Sequence, residues 1–197
     1  MVSAVTAAPA TAAADPAARR SLRARLAAGP VAQAIAQVDV ALYRLLREHG
    51  HDARLELPVR RFSRLGEHAA IWLALGLAGA AVDRPRHARW LRAARAVLLA
   101  YALNTLLKTV VRRKRPQLEQ LPALIATPTA LSFPSAHASS SFAAARAYSA
   151  LMPAAPLYVV ATAMALSRVY LGVHYPSDIA AGAILGTLVA GRAGSQA

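Results

Sequence analysis

About five apolar segments, separated by short polar breaks, constrain what this chain of 197 residues can fold into. They run from Glu67 to Val82, from about Trp90 to Val111, from Ser135 to Met152, from Leu157 to Leu171 and from Pro176 to about Ala190. Backbone amides in hydrocarbon must bond within their own segment, so segments of this kind cross a bilayer as helices. The first has an uninterrupted core of only Ala69 to Val82, short against a hydrocarbon layer of about 30 Å. Ala180, Ala181, Gly182, Ala183 and Gly186 typify the filling, and small residues let helix backbones approach closely in lipid. Neither an alternating strand pattern nor an internal repeat occurs. The expectation is an all-α integral membrane helical bundle of about five transmembrane helices.

The chain ahead of these segments reads differently. Residues 1–28 are rich in Ala and Pro and end in a basic run with Arg19, Arg20, Arg23 and Arg25. A signal peptide places charge before its apolar core, so a disordered basic tail is expected here. Val31, Ile35, Val38, Leu42, Leu45 and Leu46 repeat at helical spacing opposite Gln33, Gln37, Arg44 and Arg47, which predicts an N-terminal interfacial amphipathic helix. His51 to Arg64 reads as a basic connector at the same surface. The expected organisation is therefore a tail over 1–28, helix and connector over 29–66, and a transmembrane domain over 67–193.

Charge narrows the partners. Lys and Arg total 23 against 9 Asp and Glu, a formal charge of +14, yet 56% of residues are hydrophobic and 16% charged. Nucleic acid is not the expected partner of so apolar a chain; arginines at the ends of apolar segments suit membrane lipids with anionic headgroups. With no cysteine, neither a disulfide framework nor a thiolate metal site is available. The oligomeric state is not readable.

Following the chain through its crossings brings three polar clusters to one membrane face. The second segment ends in Lys108, Arg112, Arg113, Lys114 and Arg115; the third begins at Pro134-Ser135-Ala136-His137; the fourth ends in Arg168, and His174 and Asp178 precede and open the fifth. The opposite turn, Pro153 to Pro156, carries no charge. Ionisable groups at such depth are costly and mark function. Lys108, Arg115 and Arg168 are fixed cations, and the guanidinium forks suit phosphate oxygens. Ser135 adds a hydroxyl beside the open N–H groups of a helix start. His137 and His174 offer one imidazole to attack and one to protonate a leaving oxygen, and Asp178 offers a carboxylate to hold a ring nitrogen of His174. One carboxylate without cysteine makes a poor divalent metal site. Arg112, Arg113 and Lys114 read as a lipid-facing basic run, Tyr170 and Tyr175 as interfacial aromatics, Ser139 to Ser141 as helix packing, and Glu67 and His68 as end caps.

Lys108, six residues, Arg115-Pro116; Pro134-Ser135-Ala136-His137; and Ser167-Arg168, five residues, His174, three residues, Asp178 together resemble the type 2 phosphatidic acid phosphatase superfamily, the lipid phosphate phosphatases. The resemblance implies a phosphomonoester hydrolase with no cofactor and no metal. His174 would be a nucleophile forming a phosphohistidine, Asp178 its orienting carboxylate and His137 the general acid. Lys108, Arg115, Arg168, Ser135 and the N–H of Ala136 would hold the phosphate. Ala136 departs from the family, which usually has glycine there, and adds a methyl near the phosphate. Ser63-Arg64-Leu65-Gly66-Glu67-His68, Asp83-Arg84-Pro85 and Phe133 ahead of the Pro-Ser-Ala-His stretch resemble one subgroup, which implies a polyprenyl-linked sugar phosphate as substrate. Phosphatidic acid, phosphatidylglycerophosphate and polyprenyl diphosphate are the alternatives. A non-catalytic anionic-lipid-binding protein is the alternative outside enzymes; a vanadate-dependent haloperoxidase shares the pocket chemistry but is soluble. Arg and Lys concentrate before the first segment and after the second, which by the positive-inside rule places the site on the cytoplasmic face of a bacterial cytoplasmic membrane.

Overall fold

The computed structural model describes residues 29–194; the tail expected over 1–28 lies outside them. The described residues divide into two units, one up to Val38 and one from Asp39. The helices are α1 (Pro30–His49), α2 (Ala53–Leu65), α3 (Ala70–Val82), α4 (His87–Val111), α5 (Ala136–Tyr148), α6 (Ala154–Tyr170) and α7 (Pro176–Gly194). Short 3-10 turns, Glu67–Ala69 and Arg84–Arg86, precede α3 and α4. Among the described residues the β structure is one isolated bridge, Lys114 to Leu131.

In α1 it is polar residues that turn inward. Asp39, Tyr43 and Arg47 share a face at four-residue spacing and are buried, while Leu42, Leu45 and Leu46 are exposed. Arg47 donates from Nη1 to Tyr170 O and from Nη2 to Pro122 O, both at 2.8 Å. The Tyr43 hydroxyl reaches the carbonyls of Leu121 at 3.2 Å and Gly172 at 3.3 Å. Gly172 has φ +75°, and a Cβ there would lie 2.9 Å from Tyr43 Oη, so both conformation and space require glycine.

The stretch expected as a connector is helical. The Asp52 side chain accepts from Arg54 N at 2.8 Å and Glu56 occupies the first turn, which together start α2. The first apolar segment does not begin as regular helix. His68 and Ala69 adopt positive φ of 52° and 59°, and α2 meets the 67–82 stretch at a bend of 48°. Among the described residues one helix, Arg84–Val111, is by itself long and apolar enough to cross a membrane, or two such spans if the bent pair counts as one. The alanine-rich α5, of 13 residues, is shorter than the segment read from the sequence.

Close packing places the polar ends. A Cβ on Gly182 would lie 2.6 Å from Ser135 O, and one on Gly186 would overlap Ser139 O, so α5 and α7 touch backbone to backbone. Side-chain bonds lock the interior: Asn104 Nδ2 donates to Ser139 Oγ at 2.8 Å, Trp72 Nε1 to Ser141 Oγ at 2.9 Å, and Tyr148 Oη to Trp72 O at 2.8 Å. The serines thus join helices. Because one methyl at Gly186 must push α7 off α5, Gly186→Ala is expected to cost about 1–3 kcal/mol. Thermal unfolding in detergent should show a lower midpoint than wild type; an unchanged midpoint would contradict the packing.

Candidate active site

Three segments meet where α4, α5 and α6 present their polar ends. Beyond α4 the chain doubles back: Arg115 N donates to Ala130 O at 3.1 Å and Ser132 N to Arg113 O at 2.8 Å. That hairpin holds Arg115 over the α6–α7 turn, where Nη1 donates to Val173 O at 2.7 Å and to His174 Nε2 at 3.1 Å. A guanidinium only donates, so Nε2 carries the lone pair, and in the neutral ring Nδ1 carries the hydrogen. His174 is 2% exposed. Burial first, then the Arg115, Arg168 and Lys108 charges, hold its pKa well below the usual imidazole range. Burial also lowers that of Arg115, to about 10, which leaves it protonated near neutrality.

Asp178, fully buried in the first turn of α7, faces His174. Its Oδ2 lies 3.4 Å from Nδ1, within ion-pair range, with no hydrogen bond between the two. We read the contact as electrostatic, because the carboxylate is committed elsewhere. Oδ2 accepts from Tyr175 N at 2.9 Å and Oδ1 from Arg113 Nη1 at 2.9 Å. Arg113 Nη2 in turn donates to Asp39 Oδ2 at 2.7 Å, and Asp39 Oδ1 accepts from Ser177 N at 2.8 Å. The Arg113 guanidinium also stacks 4.3 Å above the Tyr175 ring. This corrects two expectations. Arg113 is tied into the site rather than part of a lipid-facing run, and Tyr175 packs against protein. Tyr170 does likewise, donating to Asp52 O at 2.6 Å.

The charges of Arg168 and Lys108 also act on His174. Arg168 is 5% exposed; its Nη1 donates to Ser63 Oγ at 2.7 Å and its buried Nε has no partner. Lys108 Nζ rests against the carbonyls of Ser132 at 3.3 Å and Leu131 at 3.4 Å. Ser135 caps α5, its N–H donating to Asp178 O at 3.0 Å, and Ala136 is the first helical residue. His137 is buried, with Nε2 3.0 Å from Ser63 O; the carbonyl accepts, so Nδ1 is the nitrogen left to exchange a proton. Among the described residues no group of three or more His, Asp or Glu could hold a metal ion. The arrangement offers guanidinium and ammonium donors to an oxyanion, a lone pair facing them, and a second imidazole beside them.

Asp39 and Arg113 were missed as site residues because their partners lie 74 and 65 positions away in sequence. The available signal was Asp39, an acidic residue in the middle of α1 one and two helical turns before Tyr43 and Arg47. Ser63, which touches both His137 and Arg168, carried none beyond the subgroup motif.

Comparison with known proteins gives these contacts a family. A profile of the PAP2 superfamily matches residues 89–194. A decaprenylphosphoryl-5-phosphoribose phosphatase of Mycobacterium tuberculosis is 45% identical over 134 residues, 66% of this chain and 73% of that protein. One from Mycolicibacterium smegmatis is 45% identical over 125 residues, 62% of this chain and 68% of that protein. The fold resembles the crystal structure of a transmembrane PAP2 type phosphatidylglycerolphosphate phosphatase from Bacillus subtilis, with TM-score 0.69, 22% identity, and 92% and 94% of the two chains covered. It also resembles Aquifex aeolicus LpxE, with TM-score 0.64, 23% identity, and 79% and 94% covered. The chain belongs to the PAP2 superfamily and is a phosphomonoester hydrolase.

Proposed function

We propose that the protein is a membrane phosphatase that removes the 5-phosphate of decaprenylphosphoryl-5-phosphoribose through a phosphohistidine intermediate. One observation carries the mechanism: the Nε2 lone pair of a buried His174 points at the Arg115 guanidinium, 3.1 Å away. A phosphate bound by Arg115, Arg168 and Lys108 replaces that contact and meets the lone pair. Ser135 and the Ala136 N–H add donors at the α5 start. Nε2 attacks phosphorus as the bond to the leaving oxygen breaks, and protonated His137 gives that oxygen its Nδ1 proton. The cations stabilise charge on the equatorial oxygens. Water then attacks phosphorus, His137 takes its proton, and the P–N bond returns its electron pair to Nε2. Asp178 balances the positive charge on the His174 ring during both steps. Arg113 and Asp39 are positioning residues that hold Asp178.

The membrane reading rests on exposed apolar side chains, among them Leu98, Leu106 and Val110 on α4, Val159 and Leu166 on α6, and Ile184 and Leu188 on α7. Soluble chains rarely leave such patches bare. We propose that the 67–193 stretch crosses a bacterial cytoplasmic membrane five times, with α1 at its interface. Arg60 Nη2 donates to Leu124 O at 2.8 Å, so the basic α2 shares the end of the bundle that carries the site. By the positive-inside rule that end is cytoplasmic.

Purified protein assayed in detergent should prefer the 5-phosphoribose lipid to phosphatidic acid, phosphatidylglycerophosphate and polyprenyl diphosphate; another preference would sink the substrate. His174→Ala should lower kcat by on the order of 10³-fold or more, and retained turnover would remove it as nucleophile. Its depressed pKa keeps His174 unprotonated below the ordinary value of about 6.5. The acid limb of kcat/KM, which reports free enzyme, should therefore fall below that value once the second phosphate ionisation of the substrate, at about 6, is divided out; a limb at or above 6.5 would contradict the site's electrostatics. Arg113→Met should lower kcat about tenfold, or 1.4 kcal/mol, with little change in KM. The exposed Lys114→Ala should leave both unchanged. Equal behaviour of the two variants would return Arg113 to the membrane surface.

A further inference from the structure

A cavity of about 260 Å³ opens beside the phosphate site, lined by Arg60, Ser63, Arg64, Glu67 and Arg168 and closed by the 124–126 stretch. It is smaller than the roughly 300–1,000 Å³ of pockets for drug-sized ligands, a size that suits a polar headgroup. Its chemistry is basic and underpartnered. Arg60 and Arg168 each have a buried Nε without a partner. The carboxylate nearest Arg60 is Glu56, at 4.0 Å, and Glu56 already pairs with His51 at 3.0 Å. Arg168 and Arg64 have no carboxylate in ion-pair range among the described residues. Glu67 and Ser63 supply acceptors suited to hydroxyl groups.

Ser63 fixes which side of the reaction the cavity serves. Its carbonyl accepts from His137 and its hydroxyl from Arg168, so the cavity flanks the imidazole proposed above to protonate the leaving oxygen. We infer that this cavity is a leaving-group subsite for a hydroxylated moiety bearing a second, non-reacting anionic group. Glu67 and Ser63 take the hydroxyls, and Arg60 and Arg64 take the second anion. The inference rests on the phosphatase reading and deepens it. A phosphoribose whose anomeric carbon carries a phosphodiester has both features, spaced by the sugar. A diacylglycerol leaving group would instead set carbon chains against guanidinium groups, and a diphosphate lacks the intervening hydroxyls.

The test uses purified full-length protein in detergent and two soluble probes. One is farnesylphosphoryl-5-phosphoribose. The other is 1-O-farnesyl ribose 5-phosphate, which keeps the reactive monoester and the hydroxyls but lacks the second anion. Wild type should hydrolyse the diester probe with kcat/KM at least tenfold above the ether. In the double variant Arg60→Gln, Arg64→Gln that ratio should fall toward one. A variant that merely folds badly lowers both values and keeps the ratio, so the ratio isolates the subsite. A wild-type ratio near one, or a ratio unchanged in the double variant, overturns the subsite and leaves the phosphatase reading standing. Hydrolysis of neither probe by wild type overturns both.

Discussion

Arg115, Arg168 and Lys108 act together on one buried imidazole, and like charges gathered away from water repel one another and lose hydration. The rest of the site is arranged to make that tolerable. Carbonyls of Thr129, Val173, Leu131 and Ser132 accept from the cations, and Asp178 contributes one buried negative charge. Even so, cations outnumber carboxylates around His174. Such a site gains most from an incoming dianion, and more still as charge spreads over the oxygens of a phosphoryl group in transfer. Burial first, and then the same repulsion, keeps His174 unprotonated, so the cations proposed to hold phosphate also help to keep a lone pair on the proposed nucleophile.

The fold serves this arrangement by holding parts that lie far apart in sequence. Arg115 comes from a hairpin beyond α4, His137 from the start of α5, Arg168 from the end of α6, and His174 from the turn before α7. Glycine and alanine at the α5–α7 contact let the backbones meet, so that Ser135 N can donate to Asp178 O at 3.0 Å. On the outer side, α1 contributes a polar face: Asp39 meets Arg113, Tyr43 meets the Gly172 turn, and Arg47 meets the carbonyls of Tyr170 and Pro122. The polar face of one helix can thus brace the turn that carries His174.

Much of this was legible in the residues. Helical segments follow from apolar length, and spacing alone set Arg168, His174 and Asp178 around one turn. The four residues from His174 to Asp178 span one helical turn, which is why their proximity could be anticipated; the competing claims of Arg113 and Tyr175 N on the same carboxylate could not. Arg113 looked like its neighbours Arg112 and Lys114 because local sequence does not say which member of a basic run points inward. The start of α2 was written in Asp52 and Glu56 and was outweighed by the basic composition that follows. The bend at His68 and Ala69 was hard to read, since positive φ is uncommon for residues other than glycine and alanine is not among the types that favour it. The shortness of α5 against a bilayer was hidden because apolar composition continues past the residue where regular helix ends.

On the proposed mechanism the Nε2 lone pair of His174 receives the phosphoryl group. Rapid acid- or base-quench of the enzyme with substrate labelled in the reacting phosphate, followed by peptide mapping, tests it directly. Base-stable, acid-labile label is expected on the peptide containing His174, formed no more slowly than the steady-state turnover. Label on another residue, or none during active turnover under a quench that preserves phosphohistidine, would contradict it.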